Sequence, residues 1–259
     1  MLVHMGSTNS VSANPVDLAG MPRGGPDASC LDRMLQTDRP EYLDRDDVDD
    51  RVKREVIRSL DRFGALLGEH DRTARLVLGE VAGVADPRIL ELGAGHGALS
   101  RTLLAEHPTI RVTVSDLNPG SVAALADGDL GDDPRAQVRC LDATAIDAPD
   151  GSFDLAVFAM SFHHLAPPEA ARVLAEGTRV ADRLLIVDLA RPPAPLHLIR
   201  LATMAPLALV WPFAHDGLVS SLRTYSASAV RELASAAGVG VEIRPGRFGT
   251  QVVLAYRNR

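Results

Sequence analysis

Arg88-Ile-Leu-Glu-Leu-Gly-Ala-Gly-His-Gly-Ala-Leu-Ser100 is the stretch on which the reading of this chain turns. A short apolar run, Ile89-Leu90 with Leu92, ends in Gly93-Ala94-Gly95-His96-Gly97 and passes into helix-forming sequence. That order predicts a buried strand, a tight glycine turn and a helix start. Glycines at such a turn let backbone amides approach a ligand where a side chain would collide. The spacing is not that of the dinucleotide fingerprint G-x-G-x-x-G, because the third glycine falls one residue early. With Glu91 in front, the run reads E-x-G-x-G-x-G.

Three further landmarks follow in order. Arg111-Val-Thr-Val-Ser-Asp116 alternates like a strand and ends in a carboxylate, with Leu117 beside it. It lies about 20 residues beyond the glycines, where a nucleotide-binding βαβ unit places its ribose acceptor. A carboxylate suits a diol because it accepts both O–H donors at once. Asn118-Pro119 reads as a helix N-cap followed by proline at the first helical position. Val138-Arg-Cys-Leu-Asp142-Ala143 is a second strand closing on an acid. Asp150-Gly-Ser-Phe-Asp154 then turns into the strand Leu155–Ala159 and the segment Met160-Ser-Phe-His163-His164-Leu165.

Taken together, these landmarks resemble the class I, Rossmann-like S-adenosylmethionine-dependent methyltransferases, from about residue 85 to the C-terminus. They are similar in particular to bacterial polyketide- and quinone-tailoring members. The resemblance implies S-adenosyl-L-methionine as cofactor. It places the methionine end at Gly93, Ala94, Gly95 and Gly97, with Glu91 orienting the loop or the ammonium. Asp116 and Leu117 would serve the ribose, Asp142 and Ala143 the adenine, and Ala159 would border the site. It also implies an enzyme that methylates a small acceptor at oxygen or carbon. Two other readings stand beside it: a non-catalytic or regulatory cofactor-binding protein, and a nicotinamide-dependent oxidoreductase. The early third glycine, Glu91 and Asp142-Ala143 count against the last.

Methyl transfer from a sulfonium chiefly needs an acceptor held in line, and an acceptor hydroxyl or acidic carbon gains from a base. His163 and His164 at the mouth of the fourth strand, and His215 beside Asp216, are the catalytic candidates. His215-Asp216-Gly217 resembles a motif of the bacterial tailoring group, and a His–Asp pair orients an imidazole for proton abstraction. No metal-ligand constellation is visible, and Asp188 after the fifth strand stands alone.

A net charge of −7 weighs against a nucleic-acid partner, which demands a basic face. Two cysteines, Cys30 and Cys140, are too few and too separated for a disulfide framework, and Cys140 is expected as a packed thiol. The longest apolar stretch, residues 201–214, is broken by Pro206 and Pro212 and falls short of the about 20 residues a membrane span requires. The N-terminal residues lack the basic-then-apolar order of a secretory signal, so a cytoplasmic protein is expected. A homodimer is left open.

Along the chain, residues 1–29 are rich in Gly, Pro, Ser and Asn without periodicity and are expected to be disordered. Residues 30–84 read as a helical lid, in which Val48, Val52, Val56, Ile57, Leu60, Phe63 and Leu67 share one helical face. Residues 85–259 form the core: strands and helices alternate, which predicts a doubly wound, mostly parallel α/β sheet. Strands are expected near 89–92, 112–115, 138–140, 155–159, 184–189, 241–243 and 251–256, seven in all. The resemblance implies that the last is reversed and inserted beside the fifth. The insertion 191–224, with Leu198, Ile199, Leu201, Met204, Leu207, Leu209, Trp211 and Phe213, is expected either to wall the acceptor pocket or to pack as a helical hairpin.

Overall fold

The computed structural model describes residues 17–45 and 47–258. β1 (Arg88–Leu92) opens a seven-stranded sheet with β2 (Arg111–Asp116), β3 (Ala136–Cys140), β4 (Leu155–Ala159), β5 (Arg183–Leu189), β6 (Val239–Pro245) and β7 (Thr250–Arg257). The strand order is β3-β2-β1-β4-β5-β7-β6. β1 to β5 pair in parallel, while β7 runs antiparallel to both β5 and β6. The expected reversed strand is therefore present, inserted beside β5. Every expected strand is found, most of them one or two residues longer at an end.

Before the sheet lie α1 (Cys30–Met34), α2 (Asp50–Leu67) and α3 (Glu69–Glu80). Within it, α4 (Ala98–Glu106) links β1 to β2, α5 (Pro119–Ala126) and α6 (Asp129–Asp132) link β2 to β3, and α7 (Pro167–Val180) links β4 to β5. After β5 come α8 (Ala194–Ala208), α9 (Pro212–Arg223) and α10 (Ala227–Ala236). Local signals fix several of these ends. The Asn118 side chain caps α5 at the amides of Gly120 and Ser121, and Ser226 caps α10 at Ala229.

The central strands β1, β2, β4 and β5 are buried on both faces, as parallel strands must be when helices cover each side. Leu90, Leu92, Phe158, Leu184 and Ile186 meet Val173 and Leu174 of α7 and Leu233 of α10 on one face. Ile89, Val112, Val114, Val157 and Leu185 meet Val77 of α3 and Leu99 and Leu103 of α4 on the other. Cys140 departs from expectation: β3 is an edge strand, and the thiol is exposed rather than packed.

The N-terminal segment also departs from its composition. Residues 1–16 of the stretch expected to be disordered lie outside the described residues. Residues 17–29 are packed, with Met21 and Arg23 buried. The Arg23 guanidinium donates to the carbonyls of His163 (2.9 Å) and Arg223 (2.5 Å), pairs with Asp38 (3.2 Å) and sits over the Tyr225 ring. One arginine thus anchors a stretch whose composition gives no hint of order. In α2 the expected apolar face is only partly covered: Val56 is buried, but Leu60 and Phe63 stay about 40% exposed, Phe63 stacking on Phe213.

Leu174 is wholly buried under the sheet. Leu174→Ala should lower unfolding free energy by about 2–5 kcal/mol through lost burial and a residual cavity. Urea unfolding followed by circular dichroism measures this; a change below about 1 kcal/mol would mean the layer repacks freely.

Candidate active site

At the carboxyl end of β1 the chain turns through Gly93, Gly95 and Gly97, all with positive φ (62°, 56° and 76°). A Cβ at Gly93 would stand 2.7 Å from the Phe158 ring, and one at Gly97 2.5 Å from Leu130, so both close contacts require glycine. Gly95 differs: a Cβ there meets nothing within 4 Å, so open space lies over the crest of the turn. The turn is held by the Ala94 amide donating to the Ser115 carbonyl (2.9 Å) and the Gly97 amide to the Ala94 carbonyl (2.8 Å).

Glu91 is buried beneath this turn and accepts the Ser100 hydroxyl of α4. Burial raises its carboxyl to about 7, against the opposing pull of the Ser100 hydrogen bonds. Asp116 stands at the end of β2 and is half-buried. One of its oxygens accepts the Gly95 amide (2.9 Å) and the other the Asn118 amide (2.8 Å). A carboxylate has about four lone-pair directions, so acceptor capacity remains for a diol. Leu117 beside it leaves 65% of its surface exposed. Asp142, exposed at the end of β3, accepts the amide and hydroxyl of Thr144, both at 2.7 Å. Ala143 packs half-buried against the core, and Ala159 ends β4 half-buried. The expected cofactor positions therefore gather along the carboxyl ends of adjacent strands, where a glycine cradle, an apolar platform and two carboxylates fit S-adenosylmethionine.

Next to the cradle opens a cavity of about 590 Å³. Its walls are the strand ends at Met160, Val187 and Leu189, the α2–α3 corner with Leu67, Glu69, Arg72 and Arg75, and the β6–β7 turn with Arg244, Arg247 and Phe248. Met160 and Phe248 are the only non-glycine residues with positive φ among the described residues, and both line this cavity. Left-handed backbone at such side chains is strained, and strain of this kind concentrates where ligands bind. Glu69 is the one carboxylate of the lining; burial raises its carboxyl and leaves Oε1 buried without a hydrogen-bond partner. The insertion 191–224 contributes nothing to the lining. Its two helices, α8 and α9, pack against each other, while Leu198, Ile199, Leu207 and Leu209 face outward and are exposed.

The candidate histidines lie elsewhere, away from the cavity lining. His163 is buried, its amide and Nδ1 both 2.7 Å from the Asp188 carboxylate, and its Nε2 is 3.6 Å from Glu41. Burial works against its charge, but the carboxylates of Asp188 and Glu41 outweigh it and raise the imidazole to about 9. His164 pairs through Nδ1 with Asp44 at 3.0 Å and approaches Glu41 at 3.8 Å. His215 and Asp216 do pair (3.0 Å), but the same Asp216 oxygen accepts the Tyr42 amide (2.8 Å) and His215 stacks on the Tyr42 ring at 3.8 Å. That pair fastens the N-terminal segment onto α9. Sequence reading missed Glu41 and Asp44, more than a hundred residues upstream of the histidines, and Glu69. Asp188 carried a signal: an acid at the end of an apolar strand.

A model of the methyltransferase domain family matches residues 89–183. The demethylmenaquinone methyltransferase of Thermus thermophilus is 30% identical over 222 residues, covering 77% of this chain and 93% of that protein. The malonyl-[acyl-carrier protein] O-methyltransferase of Geobacter sulfurreducens is 39% identical over 99 residues, 36% of this chain and only 37% of that protein. A solved S-adenosylmethionine-dependent methyltransferase from Aquifex aeolicus superposes with a TM-score of 0.50 at 21% identity, covering 70% of this chain and 88% of its own. The chain belongs to the class I S-adenosylmethionine-dependent methyltransferases. No helix among the described residues is long and apolar enough to cross a membrane.

The buried Glu91 makes stability depend on pH. Between about 4.5 and about 7 the folded protein keeps a proton that the unfolded chain has released, so stability falls with rising pH and levels off above 7. Glu91→Gln removes this loss and should gain on wild type by up to about 3 kcal/mol between pH 5 and pH 8. Parallel urea titrations at the two pH values measure it; an equal gap at both would place the Glu91 proton elsewhere.

Proposed function

We propose that this methyltransferase acts on a small aromatic or lipophilic metabolite bearing an acidic hydroxyl or enol, and alkylates it at oxygen or at the adjacent carbon. The observation that carries this reading is the cavity at the ends of β4 and β5, apolar at its base and rimmed by Arg72, Arg75, Arg244 and Arg247 around Glu69. Similarity to a demethylmenaquinone methyltransferase along nearly its whole length supports a quinol-like acceptor. The acidic net charge argues against a nucleic acid.

S-adenosylmethionine, when bound, supplies a methyl group on a positively charged sulfur that needs no further activation. Gly93, Ala94, Gly95 and Gly97 would cradle its methionine end, Asp116 and Leu117 its ribose, and Asp142 and Ala143 its adenine. The chain's remaining task is to orient the acceptor and take its proton. Glu69, whose carboxyl burial raises above the ordinary carboxylate range and so makes a stronger base, accepts the acceptor's O–H proton as the carboxylate. The arginine rim then stabilises the oxyanion left behind. With the cofactor held by Gly93–Gly97, Asp116 and Asp142, the deprotonated acceptor would be positioned to take the methyl group from the sulfonium, and S-adenosylhomocysteine would be the product.

Asp116→Ala should weaken S-adenosylhomocysteine binding by at least about tenfold, since two charge-assisted hydrogen bonds are lost. Calorimetry on the folded variant decides this, and unchanged affinity would remove Asp116 from the site. The acceptor is tested by a labelled-methyl screen over phenols, naphthols and reduced quinones. With the best acceptor, Glu69→Gln should lower turnover roughly 10²–10⁴-fold while S-adenosylhomocysteine affinity stays put. Wild-type turnover in that variant, or labelling of none of these classes, would overturn the reading.

A further inference from the structure

Beside the cavity, and not part of it, three ligand-type atoms converge. One Glu41 carboxylate oxygen and one ring nitrogen each of His163 and His164 all lie within 4.8 Å of one another. Glu41 Oε1 is 3.6 Å from the first imidazole nitrogen and 3.8 Å from the second. These separations are too long for good hydrogen bonds. They fit two ligands on one ion, since bonds of about 2.0–2.2 Å at tetrahedral angles hold ligand atoms about 3.4 Å apart.

The surroundings of the two rings are those of ligands. The Nδ1 of His163 is fixed by Asp188 (2.7 Å) and that of His164 by Asp44 (3.0 Å), which turns both Nε2 atoms toward Glu41. A metal-bound histidine almost always hands its other ring nitrogen to such a carboxylate or carbonyl. Ser220 donates to the same Glu41 oxygen at 2.5 Å and orients it. His163 is 97% buried, and its Nε2 is buried with no hydrogen-bond partner, which an ordinary core histidine avoids.

We propose that Glu41, His163 and His164 bind one zinc ion, which clasps the N-terminal segment to the carboxyl end of β4. Two imidazoles and a carboxylate favour zinc over magnesium or calcium, which prefer all-oxygen shells. The three protein ligands leave a fourth place for water. None of them lines the acceptor cavity, so the ion acts on the structure and not at the reacting atoms. It ties residue 41 to residues 163 and 164, and through Asp44 and Asp188 it couples the segment before α2 to the end of β5.

The test uses the full chain, stripped with a chelator and titrated with zinc in competition with a chromophoric chelator. One equivalent should bind and raise Tm. Cobalt(II) at the same site should give visible bands of a four-coordinate nitrogen/oxygen environment. Glu41→Gln and His164→Ala should abolish stoichiometric binding and the Tm rise, while Asp44→Asn should weaken binding roughly 10–100-fold. His107→Ala, remote from the cluster, serves as control. His164 is only half-buried, so that variant folds even where a change at His163 would not. No stoichiometric zinc binding, or binding that survives in both ligand variants, would overturn the proposal. Cofactor affinity and turnover against the acceptor are read separately, so failure here leaves the methyl-transfer reading standing.

Discussion

Because β1 passes its chain to β2 on one side while β4 pairs with it on the other, the crossover helices leave in opposite directions. Among the described residues, the glycine turn and Asp116 stand at the carboxyl ends of β1 and β2, the place that such a switch in strand order leaves for a ligand. The approach is close enough to dictate residue type. Phe158 of β4 lies against Gly93 at the end of β1, where even one methyl group would stand 2.7 Å from the ring. The same contact fixes the turn that carries Gly95 to its open position and presents the Gly95 amide to Asp116. Strand order, glycine spacing and the carboxylate of β2 are one constraint seen three times.

A second layer of order comes from the segment before α2. It has no helix of substance and little hydrophobic content, yet it is fastened by Arg23 on two carbonyls, by Glu41 among Ser220 and the histidines, and by Tyr42 on His215 and Asp216. Most of these are polar contacts that are buried or partly buried. Losing one partner leaves the other buried and unpaired, which is why such networks hold a single arrangement. The segment brings the cluster of acids to one side of β5 and leaves the other side, at Val187 and Leu189, to the cavity.

The core was readable because its signals are local. Period-two and continuous apolar runs gave all seven strands, Asn118 marked a helix start, and Gly93 to Gly97 marked the turn. What escaped depends on distance in the chain. Glu41 and His163 are neighbours only after the sheet has formed, and no spacing rule joins residues so far apart. Glu69 carries no local signal of its own; its environment includes the β6–β7 turn, almost two hundred residues further along the chain. The insertion stayed ambiguous for a different reason. Apolar side chains at helical spacing fit a pocket wall and a helix pair equally well, and α8 and α9 found each other. Cys140 failed because an edge strand and a central strand have the same local pattern, and only the sheet order separates them.

The histidine pair makes the division of labour concrete. Adjacent in sequence, His163 and His164 leave β4 on a 3-10 turn and each meets a different carboxylate, Asp188 and Asp44. A general base needs a free lone pair aimed at substrate, and one ring nitrogen of each is already engaged while the other points at Glu41. Their position at the strand mouth, which made them the natural catalytic candidates, also sets both rings against carboxylates of the N-terminal segment, Glu41 and Asp44. Among the described residues, Glu69 is the one carboxylate that lines the cavity. Its carboxyl is raised by burial and by the nearby Asp188 against the pull of Arg72, so the residue that holds the histidine on one side of β5 also tunes the acid on the other.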